Sequence, residues 1–541
     1  MIRAVTLAIL LLLSVAAAAQ TSKVWVADNG DGTYKNPILN VDYSDPDVIR
    51  LGADYYMTAS SFNAVPGLPI LHSKDLVNWE IVGHAIQRLE PEDVFKKPQH
   101  GGGVWAPAIR YHGDLFYIYY PDPDYGIFVT TAKDPAGEWS KPVLVKAAKG
   151  WIDPCPLWDD DGKAYLVHAF AGSRAGIKSI LAVNRMSSDG MRLLDDGVMV
   201  FDGHDKDPTV EGPKFYKLNG YYYILAPAGG VPTGWQLALR SKSIYGPYER
   251  KVVLAQGGTS VNGPHQGALV DTPNGEWWFL HFQDRGPYGR VVHLQPTVWK
   301  NGFPIIGNDL DGDGTGEPVM THRKPNVGTF PIATPPDSDE FNGTELGPQW
   351  QWHANPEASW ATPFPSKGVL RMNSVLIPDR YRDLWDLPNL LLQKLPGDKF
   401  IAEVKVNINT RIDGEKFGFV IMGMDYSYLA ITRRDGKLYL SQVTAKDADK
   451  GVAEVESTPI ELSQASVRLY ADCDESALCT FQYSTNGITS HGIGEHFKAR
   501  EGRWIGAKIG FFFSRTQKTN DAGSVDLDWI RFQRPTPEII H

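Results

Sequence analysis

The sequence is short of cysteine, of clustered positive charge and of long apolar runs. Three cysteines in 541 residues exclude a scaffold built on disulfides. No run of Lys or Arg stands out, and 53 basic against 63 acidic side chains leave a net charge of −10. A nucleic-acid backbone asks for a basic footprint, so it is not an expected partner. Past the N-terminus no stretch reaches the about 20 apolar residues that cross a bilayer. The chain also lacks long uninterrupted segments: 53 Gly and 38 Pro, about a sixth of all residues, exceed ordinary usage and exclude a long coiled coil. What it has in quantity is aromatic surface, 16 Trp, 23 Tyr and 22 Phe, within 42% hydrophobic residues overall. That much apolar area can offset the entropy of ordering the chain, which excludes a fibre or a disordered chain. Frequent turns between aromatic segments predict many short strands, and the length predicts two domains.

Residues 1–19 read as a secretory signal. Arg3 precedes an apolar run from Ala4 to Leu13, followed by the small residues Ala17, Ala18 and Ala19, and the apolar run is too short for an anchor. The expected location is therefore secreted or periplasmic, with no membrane attachment after cleavage. Cys473 and Cys479 lie six residues apart and could staple a hairpin in an oxidising compartment. Cys155, in IDPCPLW, reads as a small buried hydrophobe, since no flanking cation favours its thiolate.

One phrase recurs five times between residues 45 and 284: DPDVIRLGADYYMTAS, WAPAIRYHGDLFYIYY, DPCPLWDDDGKAYLVHAF, EGPKFYKLNGYYYILAPA and PHQGALVDTPNGEWWFLHFQD. Each runs from a Pro through an apolar strand, turns at a Gly and returns through an aromatic strand. The turn glycines, Gly52, Gly113, Gly162, Gly220 and Gly275, are 61, 49, 58 and 55 residues apart, and Gly supplies the positive φ of a tight hairpin. A period near 50 with several strands per unit predicts an all-β, five-bladed β-propeller over residues 20–320. Units this short could not each bury a core alone.

Counting back from each turn Gly, Asp45 lies 7 residues before, Trp105 8, Asp153 9, Glu211 9 and His265 10. If the first strand of each blade is innermost, these five side chains converge on the axis. Three carboxylates in one funnel suggest glycoside hydrolysis, in which one acid protonates the leaving oxygen and one carboxylate activates water. Glu211 is the expected general acid, because Gly212 and Pro213 offer it no polar side chain and an apolar setting raises a carboxyl pKa. Asp45 is the expected base, and Asp153 the residue that orients Glu211 and tunes it. A lone Asp before Pro would be read as a turn or cap; recurrence in register reverses that reading.

These motifs, YKNPILNVDYSDPDVIRLGADYYMTASSF, GVWAPAIRY, IDPCPLWDDDGKAYLVHA, VEGPKFYKLNGYYYILAPAGG and NGPHQGALV followed by YGRVVHLQP, resemble glycoside hydrolase family 43 from about Asn36 to Val319. The resemblance implies a five-bladed propeller and an inverting reaction, with Asp45 as base, Asp153 as pKa modulator and Glu211 as acid. Inversion asks for base and acid carboxyls roughly 6.5 to 9.5 Å apart. The WMNDPN-type motif of the retaining invertase-like propellers is absent. Phe62 and Trp105 are candidate sugar platforms. Arg290 resembles the family's arginine that reaches sugar hydroxyls, and His265 the histidine placed near an axial calcium through waters.

After Val319, residues 321–336 read as a Pro-rich linker and 337–541 as a second domain. FIAEVKVNIN, FGFVIMGM, YLAITRR, KLYLSQV and SVDLDWIRF alternate, predicting a β-sandwich with two half-buried sheets. The domain resembles the concanavalin-like sandwich of family 43 β-xylosidases, which in relatives lends a loop to the funnel and restricts the enzyme to chain ends. Asp309, Asp311 and Asp313 begin like a calcium loop, but position twelve is Met320, and a solvated acidic turn is the expectation. Asp339, Glu340 and Asp528 are candidate ligands of a structural calcium. No cofactor is expected for the chemistry. The expected activity is exo-acting, inverting release of terminal β-D-xylose and/or α-L-arabinofuranose from hemicellulose oligosaccharides. The alternatives are a dedicated α-L-arabinofuranosidase and a noncatalytic carbohydrate-binding propeller with a sandwich.

Overall fold

The computed structural model describes residues 21–535; the signal segment 1–19 lies outside them. Five four-stranded antiparallel sheets follow one another in the chain, each in simple sequence order. Their first strands are Asp47–Leu51, Ala108–His112, Trp151–Trp158, Lys214–Leu218 and His265–Asp271. These strands lie against one another around the axis and are the innermost of blades I to V. The five turn glycines stand between first and second strands, with φ between 54° and 87°, and no neighbour lies within 4 Å of where a Cβ would be. Positive φ is therefore what these turns require of Gly.

Aromatic and aliphatic residues from the blade faces meet in five separate clusters, one between each pair of adjacent blades. Tyr55 and Met57 of blade I, for example, pack on Trp278 and Leu280 of blade V, and Tyr119 of blade II on Leu166 of blade III. Among the described residues no blade exchanges a strand to close the ring. Closure comes from the segment before blade I: Leu39 bridges Val292 of blade V, and Asn36 donates to the carbonyls of Leu294 and Val319.

The sequence 321–336 is docked rather than free. Thr321–Arg323 pairs antiparallel with Thr33–Lys35, and the partly buried Lys324 ammonium binds the buried carboxylates of Asp28 and Asp75. From Gln351 to Gln533 the chain forms a nine-stranded and an eight-stranded sheet packed face to face. The eight-stranded sheet keeps the expected alternation, as in Phe400–Asn409, where every second residue is buried. The other sheet departs from it. In Lys416–Met422 all residues but the first are buried, because Phe417, Phe419 and Ile421 face the sandwich core while Val420 and Met422 meet Leu384, Leu387 and Leu390 on the outer face. The two domains touch directly: Val65 bridges Trp352, Asn355 exchanges hydrogen bonds with Leu89, and Arg285 pairs with Asp398.

Candidate active site

Four of the five blades, I, III, IV and V, present a kinked residue where the first strand begins. Asp45 and Asp153 are both left-handed, with φ 57°, and each directly precedes a Pro that has no N–H to satisfy. A left-handed L-residue is disfavoured, so two aspartates in this state at equivalent places mark a functional constraint. In blade IV the left-handed residue is Gly212 and in blade V it is Gln266. Glu211 and His265 stand one residue earlier. The register read from the turns thus hides a one-residue offset: the two aspartates sit on the kink, and Glu211 and His265 sit before it. Gly212 is required for a second reason, since a Cβ there would lie 2.7 Å from the Gln266 side chain.

All seven residues expected at the site line one funnel of about 330 Å3: Asp45, Phe62, Trp105, Asp153, Glu211, His265 and Arg290. Asp45 is buried among donors. Its Oδ2 accepts from the hydroxyls of Ser44 at 2.8 Å and Ser60 at 2.6 Å, and its Oδ1 accepts from Arg290 Nη1 at 3.2 Å. Oδ1 thereby keeps a lone pair for a further donor, which suits a base. Arg290 is itself fixed: its guanidinium donates to Ser44 at 2.7 Å and lies over the Phe282 ring, while its backbone N–H donates to Asp42 Oδ1 at 2.9 Å.

Glu211 has the opposite surroundings. Its side chain keeps 27% exposure, and His265 Nε2 lies 3.7 Å from it, beyond hydrogen-bond reach. Burial, then the charges of Asp153 and Asp45, push its carboxyl up to about 8. His265 cannot relieve this as a cation, because burial and then the positive charge of Arg290 hold the imidazole down at about 3. Burial and Asp45 push Asp153 up as well, but Asp153 Oδ2 accepts the Gly212 N–H at 2.7 Å. That bond favours its anion, and Glu211 has no such donor, so the proton available to the pair rests on Glu211. The same bond ties Asp153 to the residue next to the acid.

The walls are aromatic. Phe62, left-handed at φ 50°, meets Trp105 edge-on, and Trp105 is anchored by its Nε1 to Gly101 O at 2.9 Å. Opposite stands Trp504, which comes from the sandwich and reaches Trp105 at 6.2 Å. Half-exposed and left-handed at φ 67°, it is the site residue that sequence reasoning missed. Its loop is held by Asp42, whose Oδ2 accepts the Gly506 N–H at 2.9 Å while Oδ1 holds Arg290. Neither pairing leaves a local signal, because each joins residues more than 200 apart in the chain.

Beneath the funnel, Arg110 of blade II donates to Asp47 of blade I at 2.7 Å and to Cys155 Sγ of blade III at 2.9 Å. A cation does face Cys155, supplied by the fold rather than by the flanking sequence. Burial still dominates and pushes the thiol up, so Cys155 remains an inert part of the axis.

For a metal, both ring nitrogens of the buried His265 lack hydrogen-bond partners. A neutral imidazole of this kind fits the role of a calcium neighbour acting through water, and such an ion would supply fixed positive charge at the axis. Asp339, Glu340 and Asp528 do not assemble into a site. Asp339 accepts from Trp350 and Phe341, Glu340 is bidentate with Arg531, and Asp528 pairs with Lys405. Among the described residues the acidic group with metal-like spacing is Asp309, Asp311 and Asp313. Its carboxylates already cap the turn N–H groups of Gly314, Asp313 and Thr315 and bind Lys300, as a solvated turn does. The Cys473–Cys479 disulfide is formed, between neighbouring strands of the sandwich.

With this geometry in place, comparison with known proteins gives agreement over both domains. Residues 34–304 match the family described as glycosyl hydrolases family 43, and residues 338–533 match the beta xylosidase C-terminal concanavalin A-like domain. A protein of Xylanibacter ruminicola is 41% identical over 492 residues, 90% of this chain and 88% of its own length. A protein of Bacteroides ovatus named non-reducing end alpha-L-arabinofuranosidase is 29% identical, covering 93% of this chain and 95% of its own. The crystal structure of xylan beta-1,4-xylosidase from Bacillus halodurans superposes with a TM-score of 0.81 at 25% identity, over 92% of this chain and 100% of that one.

Proposed function

The chain belongs to glycosyl hydrolase family 43, and from this premise we propose that it is an exo-acting, inverting glycosidase that releases terminal β-D-xylose and/or α-L-arabinofuranose from hemicellulose oligosaccharides. The observation that carries the reading is the contrast between two carboxyls in one funnel: Glu211 pushed up to about 8 with no donor, and Asp45 held among Ser44, Ser60 and Arg290. Glu211 holds the proton that the leaving oxygen needs. As the glycosidic bond breaks, this proton passes to that oxygen; a water on the opposite face attacks the anomeric carbon and gives its proton to Asp45 Oδ1. Asp153 keeps negative charge beside Glu211, which raises the acid's pKa toward working pH and, through Gly212, fixes its backbone. Arg290 orients Asp45 and offers donors to sugar hydroxyls.

Exo action is supported by the shape of the funnel, closed below by the buried Asp47 and Cys155 with Arg110 between them and narrowed at its mouth by Trp504 from the second domain. The pentose identity is supported by relatives named for xylose and arabinofuranose release. Export is supported by the layout of residues 1–19 and by the formed disulfide, which persists in oxidising compartments. A panel of aryl β-xyloside, aryl α-arabinofuranoside and xylo-oligosaccharides, with parent and Glu211→Gln protein, tests the assignment. Hydrolysis of one or both pentosides, lost by several powers of ten in the variant, is expected; full activity of Glu211→Gln would reject it. Carbohydrate binding without any turnover of the panel would instead support the noncatalytic alternative.

A further inference from the structure

The loop from His100 to Trp105 faces two ways. Trp105 lines the funnel. Five residues earlier, His100 stacks on Trp385 of the sandwich, ring centres 3.5 Å apart and planes within 10°, and its Nε2 meets the Trp385 carbonyl at 2.8 Å. The loop between them is closely packed. A Cβ at Gly103 would lie 2.5 Å from the Phe62 carbonyl, and one at Gly101 would lie 2.7 Å from the Arg503 side chain. Arg503 therefore rests on the loop, with its neighbour Trp504 against Trp105. One short segment fixes the mouth of the funnel to the seam between the domains.

Outside that mouth the surface continues as a depression. Arg174, whose guanidinium lies 5.4 Å from the Trp105 ring centre, lines a cavity of about 310 Å3 together with Arg503, Asp124 and Trp385. This cavity shares Pro98, Gln99, His100 and Trp385 with a groove of about 1290 Å3 between the domains. The groove is about four times the volume of the funnel, and Arg380, Asn373 and Asn520 line it together with Trp385. A sugar chain presents the matching chemistry, hydroxyls around its edge and apolar C–H faces for an aromatic platform.

We propose that this groove binds the leaving-group side of the substrate, the sugars of a pentosyl oligosaccharide that lie beyond the residue next to the scissile bond, with Trp385 as their platform. The proposal rests on the glycosidase reading above. An enzyme closed at the propeller axis sends the rest of the chain out over the rim of the funnel, and on the Trp105–Trp504 side the Arg174–Arg503 cavity leads from that rim to the groove.

The test is kcat/KM of the full-length protein on an aryl β-xyloside and on β-1,4-xylo-oligosaccharides of two to six sugars, for the parent, Trp385→Ala and Ala522→Trp. Ala522 lines the groove and not the funnel, so the second variant fills the groove without removing the His100 stack. In the parent, kcat/KM is expected to rise with chain length by about fivefold or more, the factor of one good aromatic contact. Both variants are expected to lose that rise, and Ala522→Trp, which leaves the His100 stack in place, to stay within about twofold of the parent on the aryl xyloside and the disaccharide. A flat dependence in the parent, or a rise that survives in Ala522→Trp, overturns the proposal. So does a fall that is equal on every substrate in both variants, because that is the mark of a purely structural change. Failure of the parent to cleave any xyloside or arabinofuranoside would instead overturn the glycosidase reading, so the two failures are distinguishable.

Discussion

Replacing Glu211 by Gln is expected to stabilise the protein, and to do so more at high pH than at low. The acid is pushed from its ordinary 4.5 to about 8. A group whose folded pKa is raised contributes stability that is fully present below the unfolded value and is lost as pH rises through the folded one. The parent should therefore match a neutral isostere near pH 4 and fall behind it as pH approaches 8. At 1.36 kcal/mol for each pKa unit, the change between pH 5 and pH 8 comes to roughly 3 kcal/mol. The pocket leaves the carboxyl 27% open to water, which lowers the expected figure to about 2 kcal/mol. For a propeller of this size that is about 3 °C in the midpoint of its thermal transition. Calorimetry of the parent and Glu211→Gln at pH 5 and pH 8 reads it directly. If the gap between the two proteins were the same at both pH values, or the variant were the less stable at pH 8, Glu211 would not be the destabilised acid described here.

The same acid sets the alkaline limb of activity: kcat/KM is expected to fall as pH rises through about 8, since Glu211 must be protonated to act. Asp153→Asn removes the neighbouring charge and is expected to move that limb down by roughly one unit, which a pH–rate profile measures. Arg290→Met strips Asp45 of its ion pair, and a loss of about 100-fold or more in kcat, with about 3 kcal/mol of stability, is expected in kinetics and denaturant melts. Asp42→Ala leaves the N–H groups of Arg290 and Gly506 without their acceptor. It is expected to raise KM for disaccharides about tenfold, and an unchanged KM would show that the Trp504 loop does not depend on this clamp.

What the sequence made legible was local. Gly52, Gly113, Gly162, Gly220 and Gly275 announce the blades because a tight hairpin needs positive φ and Gly supplies it without strain. Asp45, Asp153 and Glu211 could be found because each stands one or two residues before a Pro where a blade begins, although the kink on Gly212 rather than on Glu211 could not be counted from the turns. What stayed hidden depends on docking. Trp504 enters the funnel only because the sandwich seats its loop on the 286–290 turn, where Ala507 donates to Pro287 O at 2.7 Å. Arg110 reaches Cys155 in the next blade, and Lys324 is drawn onto the buried carboxylates of Asp28 and Asp75, which a Pro-rich composition does not foretell. The strands Lys416–Met422 and Tyr426–Arg434 are buried on both faces because the segment carrying Leu384, Leu387 and Leu390 folds over them, a tertiary event with no signature in alternation.

The central claim, that Asp45 and Glu211 act from opposite faces of one sugar, is tested most directly by the anomer released first. Proton NMR of an aryl β-D-xyloside digest, followed before mutarotation, is expected to show α-D-xylose as the initial product, the result of a single displacement by water. First appearance of β-D-xylose would require a covalent intermediate, and with it a nucleophile in place of the water-activating base assigned to Asp45.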